Sequence, residues 1–567
     1  PFLDRHISGH APSAAKTLGY SAYFQYPKSR EMQIFLLELA AGLILALMGS
    51  KFLSRLKSAS TAENSQFANT SSKYSLGQQI WLLSSVIFIF AIFIFPEARN
   101  LIDSLPKASH VTQWDAMNIL SWVYAYQKGQ VPLKDFFYPY GSQFLFNSPT
   151  PASMVLKFLN AILIASLFAF SIWKLCRNRW IPFLAILILI ASLIEQEYII
   201  ASNRYFVCFS VLLFFLSLRR IKERAQWQDG LLGLLAFWVF LIEPNQILYL
   251  AGGVLLSLLP EILAGKKLRA VLRDQLVALG TFSLLLSIYF LFLYGQGQLK
   301  GFFDFYSILA EAASNASVPE NLAVWYLFGS EPNQLLVMVL TVLFLFAATG
   351  KLKGNNADIW LGVFGISFMI FVKHLTRPHM AHQFFGLLIV GVLLFIATEI
   401  LPTMNRKQHW YLLAVFGFYL SWQSSRNGFS SHWQRFQVSV LNLPANFETL
   451  LTPAETIQKQ LGLYFSPDHF QVGAKTGEDF NKFFEGRFPK EARIYGFGDG
   501  SVFYMLRKQN IPYFLTFYDG AHVKFQNQMV TDLMAAPPDV VIWNPGFVLF
   551  DSVPVVLKAP ILYEHVI

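Results

Sequence analysis

Charge is scarce in this chain. Asp, Glu, Lys and Arg make up 14% of its 567 residues, where a soluble domain carries about 25%. Cysteine is scarcer still. Cys176 and Cys208 are the two present, and neither has metal-ligand spacing, so a disulfide scaffold is excluded and two free thiols are expected. Phosphate-cradling loops are missing as well. The sequence has no Gly-x-Gly-x-x-Gly and no P-loop. The run Gly496-Phe497-Gly498-Asp499-Gly500 follows a strand-like segment, but its glycines are spaced wrongly for a dinucleotide fingerprint. A nucleotide sugar or other nucleotide is therefore a poor ligand. What the chain has in quantity is apolar bulk: 54% hydrophobic and 16% aromatic residues, with a mean hydropathy of +0.43. That composition points away from a soluble enzyme or a disordered tail, and towards a chain living mostly in lipid.

A helix needs about 20 mostly apolar residues to cross a bilayer core. Twelve segments qualify as candidates: 33–50, 79–96, 153–174, 180–195, 204–218, 229–242, 246–263, 276–295, 332–349, 358–373, 383–401 and 409–424. Between the sixth and seventh, Glu243-Pro244-Asn245-Gln246 reads as a tight turn, with a single broken helix as the alternative. Lys and Arg then set direction. They concentrate in alternate loops, 51–78, 175–179, 219–228, 264–275, 350–357 and 402–408, with runs such as Arg219, Arg220, Lys222 and Arg224, or Lys266, Lys267, Arg269 and Arg273. Those loops are placed inside. The net charge of +10 is thus read as an orienting excess facing an anionic inner leaflet, and no nucleic acid is expected as partner. Both termini fall outside. The chain begins at Pro1 without Met, and an upstream piece, such as a further span, is expected.

Three outer segments are long: 97–152, 296–331 and 425–567. A channel or simple carrier rarely needs so much extracytoplasmic chain, whereas an enzyme working at the outer face does. In the first, Val111–Gln127 reads as a surface helix, with Trp114, Met117, Ile119, Leu120, Trp122 and Val123 supplying bulk around Asp115 and Asn118. Gly129-Gln130-Val131-Pro132-Leu133-Lys134-Asp135-Phe136-Phe137-Tyr138-Pro139-Tyr140-Gly141 follows, and its Gly and Pro break the helix. Asp115 and Asp135 therefore lie beside a membrane-hugging helix. The bland reading is that Asp115 solvates that helix and Asp135 caps a turn.

The order of these parts resembles the first extracytoplasmic loop of the GT-C superfamily. These are the polytopic glycosyltransferases that include protein O-mannosyltransferases and aminoarabinose transferases. The likeness spans roughly residues 80–567 and is carried by Gly129–Gly141. It implies that the loop acid serves as base on the acceptor or positions it, that the donor is a polyprenyl-phosphate-linked sugar, and that the anomeric carbon inverts. Asp115 takes the loop-acid position and Asp135 is the second catalytic candidate. The pattern departs from many members in two respects: Ala116 follows Asp115 in place of a second acid, and the loop follows the second span rather than the first.

Two further clusters sit in outer loops. Glu195 and Glu197, two residues apart and followed by Arg204, are carboxylates at a membrane edge, where ionisable groups are costly and functional by default. They are candidates for holding the acceptor or a divalent cation. Lys373 to His382 gathers two cations and three histidines. A fixed guanidinium matches phosphate oxygens through parallel hydrogen bonds, so Arg377 is expected to bind the donor phosphate, with His379, His382 and Arg204 assisting. A zinc site using His379 and His382 is the alternative. Metal dependence stays open: no cofactor is certain, and a divalent cation is the candidate.

The sequence thus predicts a polytopic α-helical membrane protein of about twelve transmembrane helices, GT-C-like, with a small C-terminal extracytoplasmic α/β domain. Its parts are an external N-terminal segment 1–32, a transmembrane region 33–424 carrying the external loop 97–152, and a domain 425–567. In that domain Arg493–Phe497, Tyr513–Thr516 and Val540–Trp543 read as strands and Ser501–Gln509 and Val523–Ala535 as helices. The expected activity is a glycosyltransferase in a bacterial inner (plasma) membrane, moving a sugar to a glycan, lipid or protein acceptor at the extracytoplasmic face. A polysaccharide polymerase or ligase is the rival enzyme, which would lean on Arg and His. A lipid-linked sugar transporter or flippase is the rival from another class, although no internal repeat is visible.

Overall fold

The computed structural model describes residues 121–122, 124–126, 128–138, individual positions between 156 and 171, 204–220, 226–314, individual positions between 358 and 369, 482–497, 501–515, 523–543 and 559–566. Asp115, Glu195, Glu197, Arg377, His379, His382 and the segment 1–32 lie outside them.

Six consecutive helices form the largest described block: α1 Arg204–Leu218, α2 Gln226–Ile242, α3 Gln246–Leu263, α4 Leu268–Arg273, α5 Leu276–Gly295 and α6 Leu299–Ser314. α1, α3 and α5 begin and end with the apolar runs. α2 starts earlier than its apolar run, at Gln226, and carries Asp229 in its first turn, where a carboxylate meets the positive end of the helix dipole.

α1 and α3 run parallel. The Cys208 thiol donates to the Gln246 carbonyl at 3.5 Å near their starts, and Arg219 donates to the Ser257 carbonyl at 3.2 Å near their ends. α2 must therefore run back between them. The connection at Glu243–Asn245 is a tight turn, closed by Gln246 N–H to Glu243 carbonyl at 2.9 Å and Leu248 N–H to Asn245 carbonyl at 3.1 Å. The broken-helix alternative is excluded by this reversal.

α2 packs most extensively on α5. The rest of α5 is bare: Leu284 is 62% and Leu291 70% exposed, with Leu276, Leu279, Ile288 and Phe292 also open. α3 and α5 are the described helices long and apolar enough to cross a membrane. At about 1.5 Å per residue, α5 extends roughly 30 Å.

The two ends of this block differ. At one, Arg219 pairs with Glu261, Arg220 with Asp358 at 2.6 Å, and Lys266 with Glu261 at 3.1 Å and Asp274 at 2.7 Å. At the other, Phe240, Leu293 and Phe302 form a buried cluster that takes in Leu133 from the loop 128–138.

The C-terminal region contains β1 Ile494–Phe497, α7 Ser501–Leu506, α8 Val523–Ala535, β2 Val540–Trp543 and α9 Pro560–Val566. β1 and β2 pair in parallel, Ile494 with Val540 through Phe497 with Trp543. Parallel neighbours need a crossover, and α8 lies within it. Gln526 Oε1 accepts the N–H of Ile561 at 3.0 Å and so ties α8 to the start of α9.

Two expectations for this region are corrected. Tyr513–Leu515 is not a strand, because the Tyr513 carbonyl accepts the Phe137 N–H from the distant loop at 2.6 Å. Thr516 lies outside the described residues. The helix from Ser501 ends at Leu506 rather than Gln509. Lys508 turns left-handed at φ 54°, and the Gln509 N–H reaches back to the Tyr504 carbonyl at 2.9 Å, a Schellman closure.

Candidate functional site at the meeting of three loops

The helix expected to lie on a surface is buried at Ser121, Trp122, Tyr124 and Ala125, and the segment after it is built by its own chemistry. Ser121, Trp122 and Tyr124–Tyr126 are helical. Gly129 then turns left-handed at φ 84°, which a Cβ would oppose. The N–H of Gln130 reaches the Ala125 carbonyl at 3.0 Å and that of Gly129 the Tyr126 carbonyl at 2.9 Å, so a Schellman motif ends the helix. Beyond it, Pro132 and Phe136 bridge, and Leu133 sits at φ 62°. A non-glycine residue rarely holds that conformation without surrounding support. The support is visible: the Leu133 N–H donates to the Phe136 carbonyl at 2.6 Å, and the side chain is buried.

Asp135 belongs to this turn. Its Oδ2 accepts the Val131 N–H at 2.7 Å, and its own N–H returns to the Val131 carbonyl at 2.8 Å. The carboxylate is half-buried, and its second oxygen has no partner among the described residues. The geometry makes Asp135 a turn cap with one oxygen to spare.

The C-terminal region and the segment 298–305 both meet this loop. The Gln130 side chain is matched in both directions with the Ile511 backbone: its Nε2 donates to the carbonyl at 3.1 Å and its Oε1 accepts the N–H at 3.1 Å. Lys128 Nζ donates to the Lys508 carbonyl. Phe137 inserts among Phe305, Phe514 and Phe525, with ring centroids 5.3, 5.4 and 5.7 Å away. From the second segment, Gln298 Nε2 donates to the Pro132 carbonyl at 2.8 Å. Gly301 lies so close to the loop that a Cβ there would overlap the Leu133 carbonyl. Lys524 Nζ pairs with Asp304 at 3.3 Å across the α6–α8 contact.

Two partly buried phenols at this junction are held in the protonated form. Burial, reinforced by the Asp304 charge, pushes the Tyr513 phenol up to about 12. Burial raises the Tyr306 phenol as well, with the charge of Glu243 and the neighbouring Tyr289 phenol adding to it. Glu243 itself is 3% exposed and accepts a hydrogen bond from Gln246 Nε2 at 3.1 Å. A buried carboxylate at the end of apolar helices is costly unless it is hydrogen-bonded. The arrangement therefore offers two carboxylates that are not fully buried, Asp135 and Asp304, a buried third, Glu243, and a set of neutral phenols, all at one end of the helices.

Of the sequence-predicted site residues, Asp135 is placed here, and Arg204 opens α1 with its side chain outside the described set. Asp115, Glu195, Glu197, Arg377, His379 and His382 lie outside it entirely. Among the described residues, no three His, Cys, Asp or Glu side chains converge as metal ligands. Sequence reasoning missed Gln130, Asp304, Tyr306 and Tyr513. Gln130 stood inside the quoted motif but was passed over for the aromatics. Asp304 and Tyr306 lie in the long segment 296–331, expected to be an outer one, within the aromatic run Phe302-Phe303-Asp304-Phe305-Tyr306. Glu243 was read only as part of a turn. No protein-family model matches the chain, and a search of curated proteins finds no match.

Proposed function

We propose that this chain is a polytopic membrane glycosyltransferase that moves a sugar from a polyprenyl-phosphate donor to a glycan, lipid or protein acceptor at the extracytoplasmic face of the plasma membrane. The observation that carries the reading is the junction itself. The motif-bearing loop 128–138 docks on α6 and on the C-terminal domain, at the helix ends opposite Arg219, Arg220 and Lys266. An apolar helix as bare as α5 supports placement in lipid, because each of its exposed large side chains would otherwise forgo about 1.5–3 kcal/mol of burial.

In this mechanism a carboxylate takes the proton of the acceptor hydroxyl as that oxygen attacks the anomeric carbon. The bond from the anomeric carbon to the phosphate oxygen breaks, and polyprenyl phosphate leaves. The base must come within about 2.6–3.2 Å of the hydroxyl. Asp115, upstream of the Gly129 turn in the sequence, is the proposed base, and Asp135 with its spare oxygen positions the acceptor. Glu195 and Glu197 hold the acceptor or a divalent cation. Arg377, assisted by His379, His382 and Arg204, stabilises the charge growing on the departing phosphate.

The test is to incubate the purified full chain with a panel of polyprenyl-phosphate sugars and measure released polyprenyl phosphate. Release is expected from one donor class, and Asp115→Asn is expected to lower the rate at least about 100-fold, the usual scale for removing a general base, with insertion unchanged. Normal turnover by a well-inserted Asp115→Asn chain would remove that residue from the mechanism. Absence of release with every donor would remove the reaction.

A further inference from the structure

The corner joining α3 to α5, at the end away from the junction, is built unlike an ordinary loop. α4 Leu268–Arg273 is a short helix with three distinct sides. Val271 is 1% exposed and anchors it to the protein. Leu268 and Leu272, one turn apart and so on one face, are exposed. Arg269 and Arg273, also one turn apart, are exposed on a neighbouring face, and Lys267 precedes them.

The corner is also braced. Lys266 bridges Glu261 near the end of α3 and Asp274, which caps the end of α4 before α5 begins. Glu261 is shared with Arg219. Both acids of the corner are thereby engaged. Lys267, Arg269 and Arg273 have no acidic partner among the described residues. Three cations are thus held beside an open leucine pair, and Leu276 and Leu279 of α5 continue the exposed apolar surface.

An apolar strip next to a cationic strip is the pattern of a helix lying in the plane of a bilayer surface. Two guanidinium groups a turn apart suit the oxygens of a phosphate diester. We infer that α4 lies at headgroup level and binds the phosphate of an anionic phospholipid through Arg269, Arg273 and Lys267, with Leu268 and Leu272 set against its acyl chains. The charge complementarity selects an anionic over a zwitterionic headgroup. The inference rests on the membrane placement proposed above, but not on the glycosyl-transfer chemistry.

The full chain, extracted in a neutral detergent, would be mixed with phosphatidylglycerol or phosphatidylcholine, and the lipid retained would be counted by native mass spectrometry. Wild type is expected to retain phosphatidylglycerol in preference, on the order of tenfold, given the pull each cation exerts on an anionic surface. Arg269→Gln with Arg273→Gln is expected to abolish the preference, while Arg269→Lys with Arg273→Lys keeps most of it. Lys482→Gln with Lys490→Gln, which removes the same charge from exposed positions of the C-terminal region, is expected to leave it intact. Equal retention of the two lipids by wild type, or equal loss in the Lys482/Lys490 control, overturns the inference. Recovery of wild type from the soluble fraction overturns it together with the membrane placement, whereas a membrane-extracted chain without lipid preference overturns the inference alone.

Discussion

The two ends of the α1–α6 block are held by opposite physics. One end is tied by ion pairs, Arg220–Asp358 and Lys266 with Glu261 and Asp274, among side chains that are partly or largely exposed. The other end is tied by buried rings and by backbone amides matched to a side-chain amide, with Phe137, Leu133 and Gln130 all at or below 9% exposure. Exposed pairs contribute little and are screened by salt. Buried aromatics and satisfied buried amides contribute several times more and feel no salt. The junction end is therefore the rigid one. That suits the proposed function, in which this end would hold the reacting groups while the ion-paired end keeps its cations facing one way.

The strongest way to break this contrast is Phe137→Ala. The ring touches α6, the 513–514 segment and α8 at once, so its removal is expected to cost about 3–5 kcal/mol. Most of that should appear as release of the C-terminal region from the loop. Limited proteolysis of the detergent-solubilised chain would read it as faster cleavage between 482 and 566, with α1–α5 protected as before. Unchanged protection would show that the ring is not a fastener.

Next in size is Gln130→Ala. It leaves the Ile511 N–H and carbonyl buried without partners, at about 1–3 kcal/mol for groups so stranded. Gln130→Glu should retain the accepting half only. The expected order in hydrogen exchange at Ile511 is Ala faster than Glu, and Glu faster than wild type; equal rates in all three would detach Gln130 from the clamp.

How much of this could be read beforehand depends on whether the signal was local. Apolar runs set α1, α3 and α5, because lipid-length hydrophobicity is a property of consecutive residues. The Gly129 break was legible for the same reason, since one residue type and its φ decide it. The strand expected at Tyr513 shows the limit. Its β-prone side chains are real, but its carbonyl bonds to Phe137, some 370 residues away in sequence, and no local pattern encodes that partner. Asp135 lies between the two cases. Its residue type and spacing suggested either a reacting acid or a turn cap. The Val131 hydrogen bond fills one oxygen without deciding what the other meets. Gln130 and Asp304 were illegible as site residues because each gains its meaning only from the third segment it touches.

A smaller effect sharpens the comparison through pH. Tyr513 has its phenol pushed from 10 up to about 12 by burial and by Asp304. In the unfolded chain the phenol loses its proton near 10, while the folded chain keeps it. Stability at the junction is thus full below pH 10 and falls as pH rises towards 12. Tyr495 and Tyr504, buried in the same domain, shift the same way, so Tyr513→Phe removes one share of the slope. Denaturation of the C-terminal region followed between pH 8 and 12 should show a shallower decline in Tyr513→Phe. An identical decline would place Tyr513 in water.

The smallest effect belongs to the other end, and its size is the point. Lys266 is 42% exposed and bridges two acids that are themselves partly exposed. Lys266→Ala should cost no more than about 1 kcal/mol, and the difference from wild type should vanish in 1 M salt, where the screening length is about 3 Å. The losses from Phe137→Ala and Gln130→Ala should not move with salt at all. A Lys266→Ala effect that survived 1 M salt would mean the bridge is shielded from solvent. The two ends would then no longer be held by different forces, and the reason for placing reacting groups at one rather than the other would rest on the loop sequence alone.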